Sequence, residues 1–343
     1  MTTTHIQQPP PASVATPAGA SWGFREGDAI APGLQAVRLL GGGTVYEAYL
    51  AWADDLLALV VAKILRPDRV AEPGALASIA AEAAMIESLN HPVVMRGFGT
   101  QVTGERPHLV LEYLDGPRLS TLLRTSVIAV EQVLSLGLQL ASAAHYLQTR
   151  EVVHLDFKPR NLIMSGPPRV VDLSVAKRFD ELAGIRGPIG TTAYMAPEQS
   201  DTRLFPLLGP PADVWGIGVT LYRALAKRSP FPEPNRDPEA PLEERYPQLV
   251  HEPAPLPRDV PPPLADLIGH TLAKVPSQRP TAALLAAELE PLVAALPRPR
   301  LGRFRPGGTP KSTLMAVSEP AHRRRLFLSQ KTNRTKEGSE WAS

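Results

Sequence analysis

The 343-residue sequence has no cysteine. That excludes a disulfide scaffold, a thiolate zinc site and a cysteine nucleophile, and it fits a reducing compartment. Long hydrophobic runs are missing as well. Stretches such as Leu56 to Ala62 fall far short of the roughly 20 residues a membrane span needs. The N-terminus, MTTTHIQQPPPASVATPAGAS, lacks the basic start and apolar centre of a secretion signal. These absences give a cytoplasmic reading with no membrane span.

What is present is a chain that is 43% hydrophobic, enough for one large domain or two lobes plus loose ends. The net charge of +2 is unevenly spread. From Pro297 to Ser343 there are eleven Lys and Arg against three acidic residues, a local +8, which leaves −6 for the rest. A basic tail on a mildly acidic body suggests an anionic partner such as nucleic acid. The plainer reading is a solvated, disordered segment, because only Phe304, Phe327 and Trp341 could stack on bases.

Residues 1–24 are rich in Thr, Pro and Ala and read as disordered. Leu34 to Tyr49 favours strands and passes through a glycine cluster, Trp52 to Asp55 reads as a turn, and Leu56 to Leu65 as a buried strand. Leu76 to Leu89 has helical spacing and is stopped by His91-Pro92; His108 to Leu114 is a further strand. Val130 to Thr149 reads as a buried helix, and Asp213 to Lys227 as another with Asp213 as its cap. Two short apolar runs, Leu162 to Met164 and Val170 to Val171, flank a Gly-Pro-Pro turn. Pro230 to Pro263 is too proline-rich for regular structure, and Leu264 to Leu272 and Thr281 to Leu296 close the domain as helices. Strands first and helices after predict an α+β fold of two unequal lobes. The boundaries expected are 25–112 for the small lobe, 113–297 for the large lobe and 298–343 for the tail.

The richest segment is Val153-His154-Leu155-Asp156-Phe157-Lys158-Pro159-Arg160-Asn161. Phosphoryl transfer to a hydroxyl needs a carboxylate to orient that hydroxyl, a cation near the γ-phosphate and ligands for Mg²⁺. Asp156, Lys158 and Asn161 supply one of each within six residues. Asp172 follows eleven residues later, beyond a hairpin-like pair of strands, and can return to the same magnesium. Two protein oxygens suit Mg²⁺, which takes its remaining ligands from phosphates and water.

The segment resembles the catalytic loop of protein kinases, His-Arg-Asp-Leu-Lys-Pro-x-Asn. Asp172-Leu173-Ser174 stands where that family has Asp-Phe-Gly. Gly190-Thr191-Thr192-Ala193-Tyr194-Met195-Ala196-Pro197-Glu198 matches the end of the activation segment, and Asp213-Val214-Trp215-Gly216-Ile217-Gly218 the helix beyond it. Arg279 falls where the family pairs an arginine with the glutamate of Ala-Pro-Glu, here Glu198. The resemblance covers about Leu34 to Leu296 in order and is nearest to the bacterial Hanks-type (eukaryotic-like) Ser/Thr kinases, as His91-Pro92-Val93-Val94 and Glu112-Tyr113-Leu114-Asp115-Gly116 also suggest.

The resemblance implies a two-lobed kinase fold, ATP and Mg²⁺ as cofactors, and protein substrates with Ser or Thr acceptors. It makes Asp156, Lys158 and Thr191 catalytic, and Asn161 and Asp172 the metal ligands. Lys63, paired with Glu82, would hold the α- and β-phosphates, under a loop of Gly41, Gly42, Gly43 and Val45. Glu112 and Leu114 would form the hinge to adenine, Leu111 the back of that pocket and Ile163 its floor.

Three departures stand out. With Gly43 and Val45 taken as the last glycine and the valine of Gly-x-Gly-x-x-Gly-x-Val, the glycine loop is about three residues short. Leu155 replaces the arginine that commonly grips an activation-loop phosphate, and Leu173 to Gly190 offers only Ser174 as acceptor; activity independent of activation-loop phosphorylation is expected. Asp-Leu-Ser keeps the metal ligand but loses a flexible glycine. The alternative function is a pseudokinase scaffold, which transfer of labelled phosphate would separate from an enzyme. Substrate identity and oligomeric state are not legible.

Overall fold

Four strands, β1 (Ala29–Ala31), β2 (Leu34–Gly42), β3 (Tyr46–Ala53) and β4 (Ala58–Leu65), follow one another as an antiparallel meander. Helix α1 (Pro73–Glu87) comes next, and β5 (Gly97–Gln101) and β6 (His108–Glu112) complete a six-stranded antiparallel sheet in the order β1-β2-β3-β4-β6-β5. This is a computed structural model that describes residues 19–201 and 208–296. Strand β4 shows how the sequence builds the sheet. Its side chains alternate between faces, so Val60, Ala62 and Ile64 are buried on one face while Val61 and Lys63 look out from the other.

The Val60 face packs with Ile30, Leu34, Ala36, Tyr49 and Ala51 into a small separate core, and Trp22 and Phe24 lie against it. Phe24 meets Tyr49 edge-on at 5.4 Å, and Trp22 Nε1 donates to the Leu65 carbonyl at 2.8 Å. Residues 19–24 are therefore packed, contrary to the expectation of a disordered segment through residue 24. Two aromatics in a short stretch bury enough apolar surface to order it. Residues 1–18 and the basic tail lie outside the described residues.

The rest of the domain is mainly helical: α2 (Leu119–Thr125), α3 (Val130–Thr149), α4 (Phe179–Leu182), α5 (Pro197–Ser200), α6 (Pro210–Ala226), α7 (Leu242–Arg245), α8 (Pro262–Thr271) and α9 (Ala282–Ala294). Helices α3 and α6 supply the centre of its core, with Leu140, Leu147, Trp215, Ile217 and Val219 all fully enclosed. Two small antiparallel ladders sit against it, β7 (Val152–Val153) with β10 (Lys177–Arg178) and β8 (Leu162–Ile163) with β9 (Arg169–Val170). Thr281 caps α9 by accepting from the Leu284 N–H at 3.1 Å.

The two-lobed α+β architecture matches the expectation. The Pro230–Pro263 stretch is largely irregular but includes the single turn α7. Strands β1 and β5 were not foreseen: β1 has only three residues, and β5, an edge strand, is exposed throughout with no apolar alternation to reveal it. Asp213 is not a cap. Helix α6 starts at Pro210 after Gly209, so Asp213 lies inside its first turn, buried, with its carboxylate committed elsewhere.

Candidate active site

The catalytic loop joins β7 to β8, and α6 holds it from below. Asp213 accepts the N–H of Leu155 at 2.8 Å on one oxygen and that of His154 at 2.9 Å on the other. Leu155 sits at φ 63°, a left-handed conformation that costs a leucine roughly 1 kcal/mol or more and persists only where the surroundings fix it. The Asp213 clamp is such a fixture. Gly216 lets α6 approach, since a Cβ there would lie 3.0 Å from the Phe157 carbonyl.

The clamp gathers the predicted residues. Asp156 Oδ2 accepts from Lys158 Nζ at 2.5 Å and from Asn161 Nδ2 at 3.0 Å, and Lys158 also donates to Thr191 Oγ1 at 2.6 Å. With its Nδ2 so engaged, Asn161 has its oxygen left for another partner. Asp156 Oδ1 is buried and, among the described residues, has no hydrogen-bond partner. A buried carboxylate oxygen without a donor is costly, and an incoming hydroxyl would satisfy it.

On the β4 side, Lys63 Nζ lies 2.7 and 2.8 Å from the two Glu82 oxygens and 3.2 Å from Asp172 Oδ1. Burial disfavours the Lys63 ammonium, but Glu82 and Asp172 overcome this and raise its pKa above the ordinary value. Burial likewise acts to raise the Asp172 carboxyl, but the Lys63 charge and a hydrogen bond from Ser174 hold it well below the usual carboxylate range. Asp172 is at φ 72° and its side chain is 42% exposed, so the carboxylate is presented to the cleft already ionised. Asn161 and Asp172 provide a hard oxygen donor set of two. Mg²⁺ takes few oxygens from protein and the rest of its shell from phosphates and water. The residues present therefore fit Mg²⁺.

The glycine hairpin differs from its expected form. Gly42 pairs with Glu47 and Gly41 with Ala48, and Gly43 N–H donates to the Tyr46 carbonyl at 2.9 Å, so Thr44 and Val45 form the tip. Ala48, not Val45, stands opposite Lys63. The loop is thus full length, running Gly41-x-Gly43-x-x-Tyr46-x-Ala48, with a tyrosine at the third glycine's place. Buried Arg66 braces the hairpin: Nε donates to the Gly43 carbonyl at 2.7 Å, Nη1 pairs with Glu47 at 3.2 Å and reaches the Ala20 carbonyl at 3.1 Å.

At the adenine end, Leu111 is buried, and Leu114 and Ile163 are half-buried against the main core. The chain after β6 runs beside β8, with Arg118 bridged to Ile163 and Met164 N–H donating to the Pro117 carbonyl at 2.9 Å. Glu112 Oε2 pairs with Arg169 and accepts from the Arg96 N–H, and the Glu112 N–H donates to the Arg96 carbonyl at 2.9 Å.

The activation segment is fixed by contacts that involve no phosphate. Gln199 Nε2 donates to the carbonyls of Leu155 at 2.8 Å and Ile189 at 2.9 Å, while its Oε1 accepts from Ala196 N–H at 3.0 Å. Gly190 makes the approach feasible: it sits at φ 108°, and a Cβ there would meet the Leu155 carbonyl at 2.6 Å. Glu198 and Arg279 form a fully buried two-pronged pair at 2.5 and 2.8 Å. Sequence reasoning missed Gln199, Tyr46, Arg66 and the true task of Asp213. None of the four carries a local signal in the sequence.

Comparison with known proteins agrees with this geometry. The protein kinase domain family matches residues 34–288, and the chain belongs to that family. Within it, the chain falls with the Hanks-type serine/threonine kinases of bacteria. It is 29% identical over 300 residues to the serine/threonine-protein kinase PknA of Mycobacterium tuberculosis, covering 82% of this chain and 67% of that protein. It is 28% identical over 271 residues to PknB of Mycolicibacterium smegmatis, covering 73% and 41%. A probable serine/threonine-protein kinase of Dictyostelium discoideum is 29% identical over 255 residues, covering 71% of this chain but only 36% of the relative. The match therefore spans between about a third and two thirds of these relatives' lengths. Among the described residues no helix is long and apolar enough to cross a membrane.

Proposed function

We propose that this chain transfers the γ-phosphoryl group of ATP to a serine or threonine hydroxyl of a protein substrate. The observation that carries the reading is Asp156, whose Oδ2 is held by Lys158 and Asn161 while its buried Oδ1 has no partner among the described residues, beside the Lys63–Glu82–Asp172 cluster. In this reading Asp156 orients the acceptor hydroxyl and takes its proton. Lys158, steadied by Thr191, faces the γ-phosphate, and Lys63, clamped by Glu82, anchors the α- and β-phosphates. Magnesium held by Asn161 and Asp172 would supply neutralisation of the phosphate charge. Gly41, Gly42 and Gly43 roof the phosphates, with Leu111, Glu112, Leu114 and Ile163 around adenine.

Lys158 stands where serine/threonine kinases carry a lysine, which favours Ser and Thr as acceptors. The test is labelled phosphate transfer from ATP to a generic basic protein or to the chain itself. Wild-type protein should transfer, and Asp156→Ala and Lys63→Ala should not. Equal incorporation by all three proteins would overturn the assignment.

A further inference from the structure

Helix α1 buries Ile79, Ala83, Met85 and Ile86 in the main core. It carries Glu82, the partner of Lys63, yet it contains no Lys or Arg that could grip a phosphate on the activation segment. A groove of about 450 Å³ is shared by α1 and the activation segment, lined by Ala77, Ser78, Ala81, Glu82, Leu173 and Ser174, and the Leu173 backbone also hydrogen-bonds to the Glu82 carboxylate.

A further contact to α1 comes from the glycine hairpin. Tyr46 and Ala48 share the face of β3 that looks toward Lys63. The Tyr46 ring lies 4.7 Å from Lys63 Nζ, a cation–π distance. The Tyr46 hydroxyl is 3.2 Å from Ser78 Oγ, and Ser78 precedes Glu82 by one helical turn on the same face of α1. Burial raises the Tyr46 phenol above its ordinary pKa, so the hydroxyl keeps its proton and can donate.

We propose that Tyr46 is a positioning residue that latches α1 to the glycine hairpin, holding the Lys63–Glu82 pair assembled without a phosphorylated activation segment. The inference rests on the kinase reading and adds its regulation. A glycine at position 46 would make neither contact; the tyrosine supplies a built-in contact where an external signal would otherwise act.

Hydrogen exchange across Pro73–Glu87 in the nucleotide-free full chain tests the latch directly, even if transfer itself were absent. Tyr46→Phe keeps the ring but removes the hydroxyl, and Ser78→Ala removes its partner. Each should speed exchange in α1 by about three- to tenfold, the loss of one neutral hydrogen bond, with α3 unchanged. The double variant should be no faster than either single. In phosphate transfer, both singles should lower kcat by a similar factor and leave the KM for ATP within about twofold. Wild-type exchange in the single variants, or fully additive effects in the double, would overturn the latch. A wild-type protein that transfers nothing while the exchange pattern holds would instead defeat only the kinase reading.

Discussion

The floor and the roof of the cleft solve their problems differently. On the floor, residues 153–161, the phosphoryl transfer we propose would call on particular functional groups: a carboxylate at Asp156, an ammonium at Lys158, an amide at Asn161. On the roof, Gly41 to Ala48, what is needed is a hairpin offering backbone N–H groups at the right height, and many sequences can fold into one. The floor therefore keeps its residue types, whereas the roof has traded a glycine for Tyr46 and depends on Arg66, a residue from the end of β4, for its shape. Chemistry constrains side chains; shape constrains only what supports it.

The comparison is broken most severely at Asp156. Asp156→Ala removes the group that orients the hydroxyl, and general-base loss of this kind costs about 10²–10⁴ in rate. Binding of ATP should persist, since Lys63, Glu82 and the hairpin are untouched. Calorimetric titration with ATP alongside transfer assays separates the two effects. If Asp156→Ala abolished nucleotide binding as well, floor and roof would not be separable in this way.

Arg66→Met attacks the roof. It leaves Glu47, only 1% exposed, as an unpaired buried charge, a defect worth about 3–5 kcal/mol in thermal or denaturant unfolding. Replacing both partners, Arg66→Met with Glu47→Gln, should recover much of that stability. It should not restore the tether to the Gly43 carbonyl, so the KM for ATP stays raised while kcat changes little. A double variant with normal ATP affinity would show that the hairpin keeps its shape unaided.

Legibility in the sequence follows the same division. The catalytic loop, Asp172, the Lys63–Glu82 pair and the Glu198–Arg279 pair could be picked out because each is a fixed functional group at a fixed spacing, and their side chains do meet. Helix α3 was placed to the residue because twenty positions of periodic burial outweigh any local ambiguity. The hairpin was misaligned because Gly41-Gly42-Gly43 fits its pattern in more than one register, and only strand pairing decides among them. Asp213 reads as a helix cap because an acid near a helix start usually is one. Its partners, the N–H groups of His154 and Leu155, lie 59 and 58 residues away, beyond the reach of local rules.

His154 sharpens the comparison through pH. It is fully enclosed, and its Nδ1 accepts the Asp156 N–H at 3.2 Å. Burial holds its pKa below the ordinary value of about 6.5. The folded floor thus keeps a neutral imidazole while the unfolded chain takes up a proton below about pH 6.5, so the stability this residue contributes is full above that pH and lost as pH falls. Asp213 acts in the opposite sense. Its carboxyl is pushed up to about 7 by burial, despite two backbone hydrogen bonds, and what it contributes is lost as pH rises from about 4 to about 7. Wild-type stability mixes the two slopes. The difference between wild type and His154→Asn isolates the first and should grow as pH falls below about 6.5, with a slope of at most about 1.4 kcal/mol per pH unit. A difference flat across that range would mean that the imidazole is charged in the folded state.

The smallest expected effect is none at all. A kinase switched by activation-segment phosphate needs a cation to receive it, and here Leu155, 3% exposed, fills that place with an apolar side chain. The segment Leu173 to Gly190 has one hydroxyl, and Ser174 spends it on Asp172. Gln199 already ties Ile189 to the floor through the Leu155 carbonyl. Phosphatase treatment, with loss of phosphate verified by mass spectrometry, should therefore leave kcat within about twofold, less than one neutral hydrogen bond is worth. A large fall in kcat would mean that the floor, like the floor of a switched kinase, waits for a signal, and that Gln199 and Tyr46 are not sufficient to hold it ready.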